Sequence, residues 1–122
     1  MTVADRPDAG AVVAALDFEA NRTRTRIDAL ERDLVALRDA TADSPDDEHD
    51  PEGATIAFER QQVAALLASA QERLADLDAA RARLDAGDYG RCAACGQAIA
   101  LERLLARPDV RRCAACEARA ER

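Results

Sequence analysis

Tryptophan is absent from this 122-residue chain and aromatic residues make up only 2% of it, which excludes both a broad aromatic core and a platform on which nucleic-acid bases could stack. A single histidine, no glycine-rich loop and no Ser-His-Asp set leave no assembled catalytic site, so the chain does not read as an enzyme. Basic charge is also lacking. The formal net charge of −7 opposes a binding mode that relies on neutralising phosphates, and direct nucleic-acid binding is not expected. No apolar run approaches the length that spans a bilayer, and Met1–Gly10 has no basic stretch leading into an apolar one, so the reading is cytoplasmic with no membrane partner. A large core is likewise beyond a chain of this length, which fits one small domain or one elongated element carrying a module.

What the chain has in quantity is Ala, Leu and Val within a hydrophobic share of 48%, the composition of helices packed side by side. Val13, Leu16, Ala20, Thr23, Ile27, Leu30, Leu34 and Leu37 recur at alternating steps of three and four, the seam of a coiled coil, with mixed charges such as Arg24, Asp28, Glu31 and Arg32 between them. A second seam runs through Ile56, Val63, Leu67, Ala70, Leu74, Leu77 and Leu84, with Arg60 and Arg81 in the two seam positions that are not apolar. Between the two lies Thr41 to Gly53, rich in Asp and Glu and broken by Pro45 and Pro51, where the chain turns. Asp50 followed by Pro51 reads as a helix cap with proline at the first helical position, and Gly87 as the cap that ends the second helix.

These patterns predict an all-α fold: helices over about Ala11 to Ala40 and Ala54 to Ala86, each roughly 45 to 50 Å long at ~1.5 Å per residue, folded back as a long antiparallel coiled-coil hairpin. The short connection favours pairing within one chain, and hence a monomer; pairing between two chains as a dimer is the alternative. The expected organisation is a disordered N-terminus over 1–10, the hairpin over 11–86 with an acidic tip at 41–53, and a cysteine module with a short terminal helix over 87–122.

The chemistry is carried by the cysteines. Cys92-Ala93-Ala94-Cys95 is followed, after the 17 residues Gly96 to Arg112, by Cys113-Ala114-Ala115-Cys116. Two Cys-x-x-Cys pairs so spaced offer four sulfurs to one tetrahedral ion, and a closed shell of four thiolates leaves no position for water, so the metal is a structural zinc, one per chain. The competing readings are two redox-active dithiols or two disulfides. Redox motifs of this type sit in a βαβ setting, which is missing here, and disulfides do not suit a reducing compartment. Gly96 fits the tight turn after the first pair, while Arg91, Arg103, Arg107, Arg111 and Arg112 could offset the net −2 of a zinc tetrathiolate or simply be solvated surface. Ile99, Leu101, Leu104 and Leu105 are the apolar residues available for a small core, and Pro108 ends any helix they begin.

The run Asp88-Tyr89-Gly90-Arg91-Cys92-Ala93-Ala94-Cys95-Gly96-Gln97-Ala98-Ile99, the segment Arg103-Leu104-Leu105-Ala106-Arg107-Pro108 and the closing Cys113-Ala114-Ala115-Cys116 resemble the DksA/TraR zinc-finger family. With the hairpin, the resemblance covers roughly Ala11 to Arg122. It implies a transcription regulator that binds bacterial RNA polymerase and inserts its coiled-coil tip through the secondary channel. The tip of the best-known members carries Asp-x-x-Asp-x-Ala; the matching positions here are His49, Glu52 and Ala54, so Ala54 agrees, Glu52 keeps the charge and His49 departs, which leaves two alternatives: Asp47 or Asp50 substitutes after a small shift, or the tip binds without altering initiation. Asp50, Glu52 and Ala54 are therefore the partner-binding candidates at the tip. Relatives that respond to the alarmone ppGpp do so jointly with the polymerase, and no phosphate-cradling loop suggests nucleotide binding by this chain alone. Two rival readings remain: a homodimeric coiled-coil scaffold, and a DNA-binding zinc module using Arg103, Arg107, Arg111 and Arg112. From Arg91 to Arg122 seven Arg face four acids, a surplus of +3 that a zinc tetrathiolate lowers to about +1, weak for a surface that tracks phosphates.

Overall fold

The computed structural model describes residues 8–42 and 51–121, with side chains over 8–40 and 53–121. Two long helices, α1 (Ala9–Ala42) and α2 (Pro51–Asp85), are followed by two short ones, α3 (Leu101–Ala106) and α4 (Ala114–Ala120). Among the described residues there is no β-strand, only an isolated antiparallel bridge between Arg91 and Ala98. The fold is thus an antiparallel helix pair carrying a small cysteine module. Among the described residues, no helix is long and apolar enough to cross a membrane.

Each long helix follows from its seam. In α1 the residues Leu16, Ala20, Thr23, Ile27, Leu30 and Leu34 are all buried, at the spacing of three and four that keeps one stripe facing a neighbouring helix. The seam departs from expectation at its start: Val12 is fully buried and Val13 only partly. In α2 the buried residues are Ala70, Leu77, Ala80 and Leu84, and Val63, Leu67 and Leu74 pack beside them while partly exposed. Ala80 is fully buried next to Arg81, the seam position read from the sequence, because an alanine lets the facing helix approach while a guanidinium must reach water. The α2 helix begins on Pro51, whose missing N–H costs nothing in the first turn. It ends on Gly87 at φ 78°, with Asp88 N–H bonded to Arg83 O at 2.8 Å and Gly87 N–H to Leu84 O at 3.1 Å. This paired reverse turn satisfies the last carbonyls and needs the left-handed backbone that glycine adopts freely.

The chain divides into two compact units. One is Arg22–Leu74, whose apolar centre is Ile27, Leu30 and Ala70 flanked by Val63, Leu67 and Leu74. In the other, the start of α1 up to Asn21 joins everything from Ala75 onward around a second cluster: Val12, Leu16, Leu77, Ala80, Leu84, Tyr89, Cys92, Ile99, Leu104 and Cys116. Here α1 faces the cysteine module as well as α2, so its buried stripe is wider than a two-helix seam requires, and that is why Val12 joins it. Ile99 and Leu104 fill this centre as expected, whereas Leu105 points outward at 38% exposure and Leu101 packs at the edge. Pro108 does more than end α3; it is itself fully buried. Arg107, forced out of helical backbone by the following proline, sits at φ −143° and ψ 81° and closes α3 with an N–H bond to Arg103 O at 2.9 Å.

Candidate metal centre

The first cysteine pair sits on a tight hairpin. Cys92 N–H donates to Gln97 O at 2.8 Å, Ile99 N–H to Gly90 O at 2.8 Å, and Gly96 N–H returns to Cys92 O at 2.9 Å. Gly96 holds φ 75°, and a Cβ built there meets no atom within 4 Å, so glycine is required by backbone conformation and not by space. The second pair opens a helix: Cys113 is the N-cap of α4, its carbonyl accepts the Glu117 N–H at 3.0 Å, and Cys116 lies in the first turn. The two pairs are tied by Ala93 N–H donating to Arg111 O at 2.7 Å.

This scaffold brings the sulfurs of Cys92, Cys95, Cys113 and Cys116 within 4.8 Å of one another. Cys95 Sγ and Cys113 Sγ are 3.9 Å apart, and all four cysteines are free. A disulfide needs about 2.05 Å between sulfurs. Tetrahedral zinc, with bonds of about 2.3 Å, places its sulfurs about 3.8 Å apart. The spacing therefore fits one zinc ion shared by both pairs and does not fit two bridges.

Local electrostatics prepare the sulfurs for a cation. The Cys92 thiol is pulled down to about 6, chiefly by the backbone N–H of Cys113 and further by those of Cys95 and Ala94, against the opposing effect of desolvation. The Cys116 N–H and thiol hold Cys113 below the ordinary thiol value. Cys116 is pushed up to about 12, first by the hydrogen bonds it shares with Cys113, Cys92 and Cys95, because four sulfurs this close cannot all be anionic without a compensating cation. The donor set, four sulfurs and no open position, suits a structural ion.

Arginines surround the module in ways the sequence did not reveal. Arg91 Nη1 donates to Gly96 O at 3.2 Å and Arg103 Nε to Arg112 O at 3.0 Å. Beside the module, a cleft of about 230 Å³ has Arg83, Arg103, Arg107 and Arg111 together with Asp76, Asp109 and Glu117 among its lining residues. Burial and the neighbouring Arg111 hold Arg83 below its ordinary value. Four cations against three anions leave this cleft with little net charge. Of the tip candidates, Ala54 is exposed near the start of α2. His49 and Asp50 lie outside the described residues, as does the side chain of Glu52.

No curated protein matches the chain. The prokaryotic DksA/TraR C4-type zinc finger model matches residues 87–122. Among solved structures, the chain is similar to the transcription factor DksA2 from Pseudomonas aeruginosa at 31% identity and a TM-score of 0.59, with 98% of this chain and 93% of that one covered. Identity at that level over nearly the whole length, joined to four cysteines gathered for one metal ion, places this protein in the DksA/TraR C4-type zinc finger family.

Proposed function

We propose that this protein is a transcription regulator that binds bacterial RNA polymerase in the cytoplasm, with Cys92, Cys95, Cys113 and Cys116 as the ligands of one structural zinc ion. The observation that carries this reading is the 31% identity to the transcription factor DksA2 across 98% of the chain. On this view the module over 87–122 docks on the outer rim of the enzyme, and the acidic segment between α1 and α2 enters the secondary channel. Asp50, Glu52 and Ala54 lead it. Acidic side chains suit a basic channel that holds magnesium. The chain acts as a monomer and performs no catalysis of its own, and any response to ppGpp arises jointly with the polymerase.

Retention of the purified, zinc-loaded protein on immobilised core RNA polymerase at low salt is the direct test. Binding followed by altered initiation, with and without ppGpp, supports the proposal. Loss of that effect in the Asp50→Ala, Glu52→Ala double variant, with binding kept, assigns it to the tip. Failure of the polymerase to retain the protein would sink the reading.

A further inference from the structure

We infer that Arg103 and Arg91 are positioning residues of the metal centre, each holding the peptide that sets one cysteine turn and thereby slowing metal loss. The inference concerns zinc retention and rests on the four cysteines being zinc ligands; it is independent of any polymerase contact.

The peptide that joins Arg112 to Cys113 is held through its carbonyl. Its carbonyl accepts from Arg103 Nε at 3.0 Å. Its N–H end belongs to Cys113, which begins the second pair and whose own carbonyl accepts the Glu117 N–H at 3.0 Å. A peptide is planar, so fixing the carbonyl direction fixes the N–H direction. Arg103 thus sets the orientation of the backbone entering Cys113, whose sulfur lies 3.9 Å from that of Cys95 in the first pair. The preceding carbonyl, Arg111 O, is already taken by Ala93 N–H at 2.7 Å, so the strand entering Cys113 is pinned at two successive residues.

Arg91 does the corresponding work on the first turn. It donates to Gly96 O at 3.2 Å, immediately after Cys95, while the Gly96 N–H is held by Cys92 O at 2.9 Å. Cys95 is exposed, so its turn has little packing to keep it in place and depends on such bonds. Both guanidiniums also bring positive charge beside a cluster that carries a net −2 once four thiolates hold zinc. Groups that orient ligands in this way typically change metal affinity by roughly tenfold or more when removed.

The test uses the full zinc-loaded chain and follows zinc release to an excess of chelating indicator. Metal content of the unaltered protein checks the ligand assignment separately: one zinc per chain is required before the variants are read. Arg103→Ala and Arg91→Ala are expected to speed release by roughly tenfold or more each, and together by about the product of the two effects. Arg119→Ala, which removes the same charge from an exposed position on α4, should leave the rate within about twofold. Arg103→Lys and Arg91→Lys, whose ammonium can still reach a carbonyl, should recover most of the loss and guard against an alanine variant that fails to fold. With cobalt(II) in place of zinc, the alanine variants should shift the visible absorption bands, which report ligand geometry. Native release rates in both alanine variants, or equal acceleration by Arg119→Ala, would overturn the inference.

Discussion

Tyr89 and Pro108 are joined by a buried hydrogen bond of 2.8 Å from the phenol hydroxyl to the proline carbonyl, across 19 residues of sequence. The bond ties the turn after α2 to the loop after α3, and both residues are almost wholly buried. Tyr89→Phe keeps the ring but leaves the Pro108 carbonyl without its partner, an expected loss of about 1 to 3 kcal/mol in urea unfolding at fixed free zinc. Burial, partly offset by Arg83 and reinforced by Asp109, pushes the Tyr89 hydroxyl from its ordinary 10.0 up to about 12. The folded state therefore holds this proton more tightly than the unfolded one. The associated stability is fully present below pH 10 and is lost as pH rises through 12. Unfolding followed from pH 9 upward should show that alkaline decline in the native protein, and Tyr89→Phe should flatten it; an unchanged slope would rule out Tyr89 as the group responsible.

Neighbouring leucines on α3 should behave oppositely. Leu104 is 0% exposed at the centre of the second cluster and Leu105 is 38% exposed. Leu104→Ala opens a cavity in a packed site and should cost about 2 to 5 kcal/mol. Leu105→Ala should stay within about 0.5 kcal/mol. Comparable losses from both would mean that the two side chains share the interior.

How much of this was readable beforehand depends on the range of the interaction involved. The seams of α1 and α2 were visible because helical periodicity is local, and the metal site because Cys-x-x-Cys spacing encodes its own turn. Ala80 escaped because alanine is a good helix former anywhere, so its burial is decided by what faces it. Val12 took the place expected for Val13 for the same kind of reason: the cysteine module, distant in sequence, covers the start of α1. The bonds Tyr89–Pro108 and Arg103–Arg112 link side chains to backbone carbonyls, and a carbonyl leaves no trace in the sequence.

Arg81, which the sequence pattern places in the seam of α2, lies partly exposed beside the buried Ala80, and its guanidinium reaches Asp17 on α1 at 2.9 Å and Asp85 on its own helix at 3.4 Å. Both carboxylates are largely solvated, at 61% and 68% side-chain exposure, so the pairs are screened by water and salt. Asp17→Asn should cost no more than about 1 kcal/mol at low salt, and the difference should vanish near 1 M salt. A larger loss that persists in high salt would show the pair to be a structural pin.

Metal removal should divide the chain. The cluster built on Ile27, Leu30 and Ala70 draws nothing from the cysteine module, whereas the other includes Cys92 and Cys116 among its buried members. A module of this size has too few apolar side chains to offset the entropy of ordering its loops, so its fold depends on the ion. Chelation is therefore expected to abolish amide exchange protection at Cys92, Gly96 and Ile99, whose N–H groups are bonded within the module. Amides of α1 and α2 inside Arg22–Leu74 should keep theirs, and most of the far-ultraviolet helical signal should survive. Cys113→Ser should reproduce the chelated pattern without chelator, because it removes one sulfur from the cluster of four. Simultaneous loss of protection in both units would show that the helix pair relies on the metal for its own stability, and retention in both would show that the module folds on its apolar contacts alone.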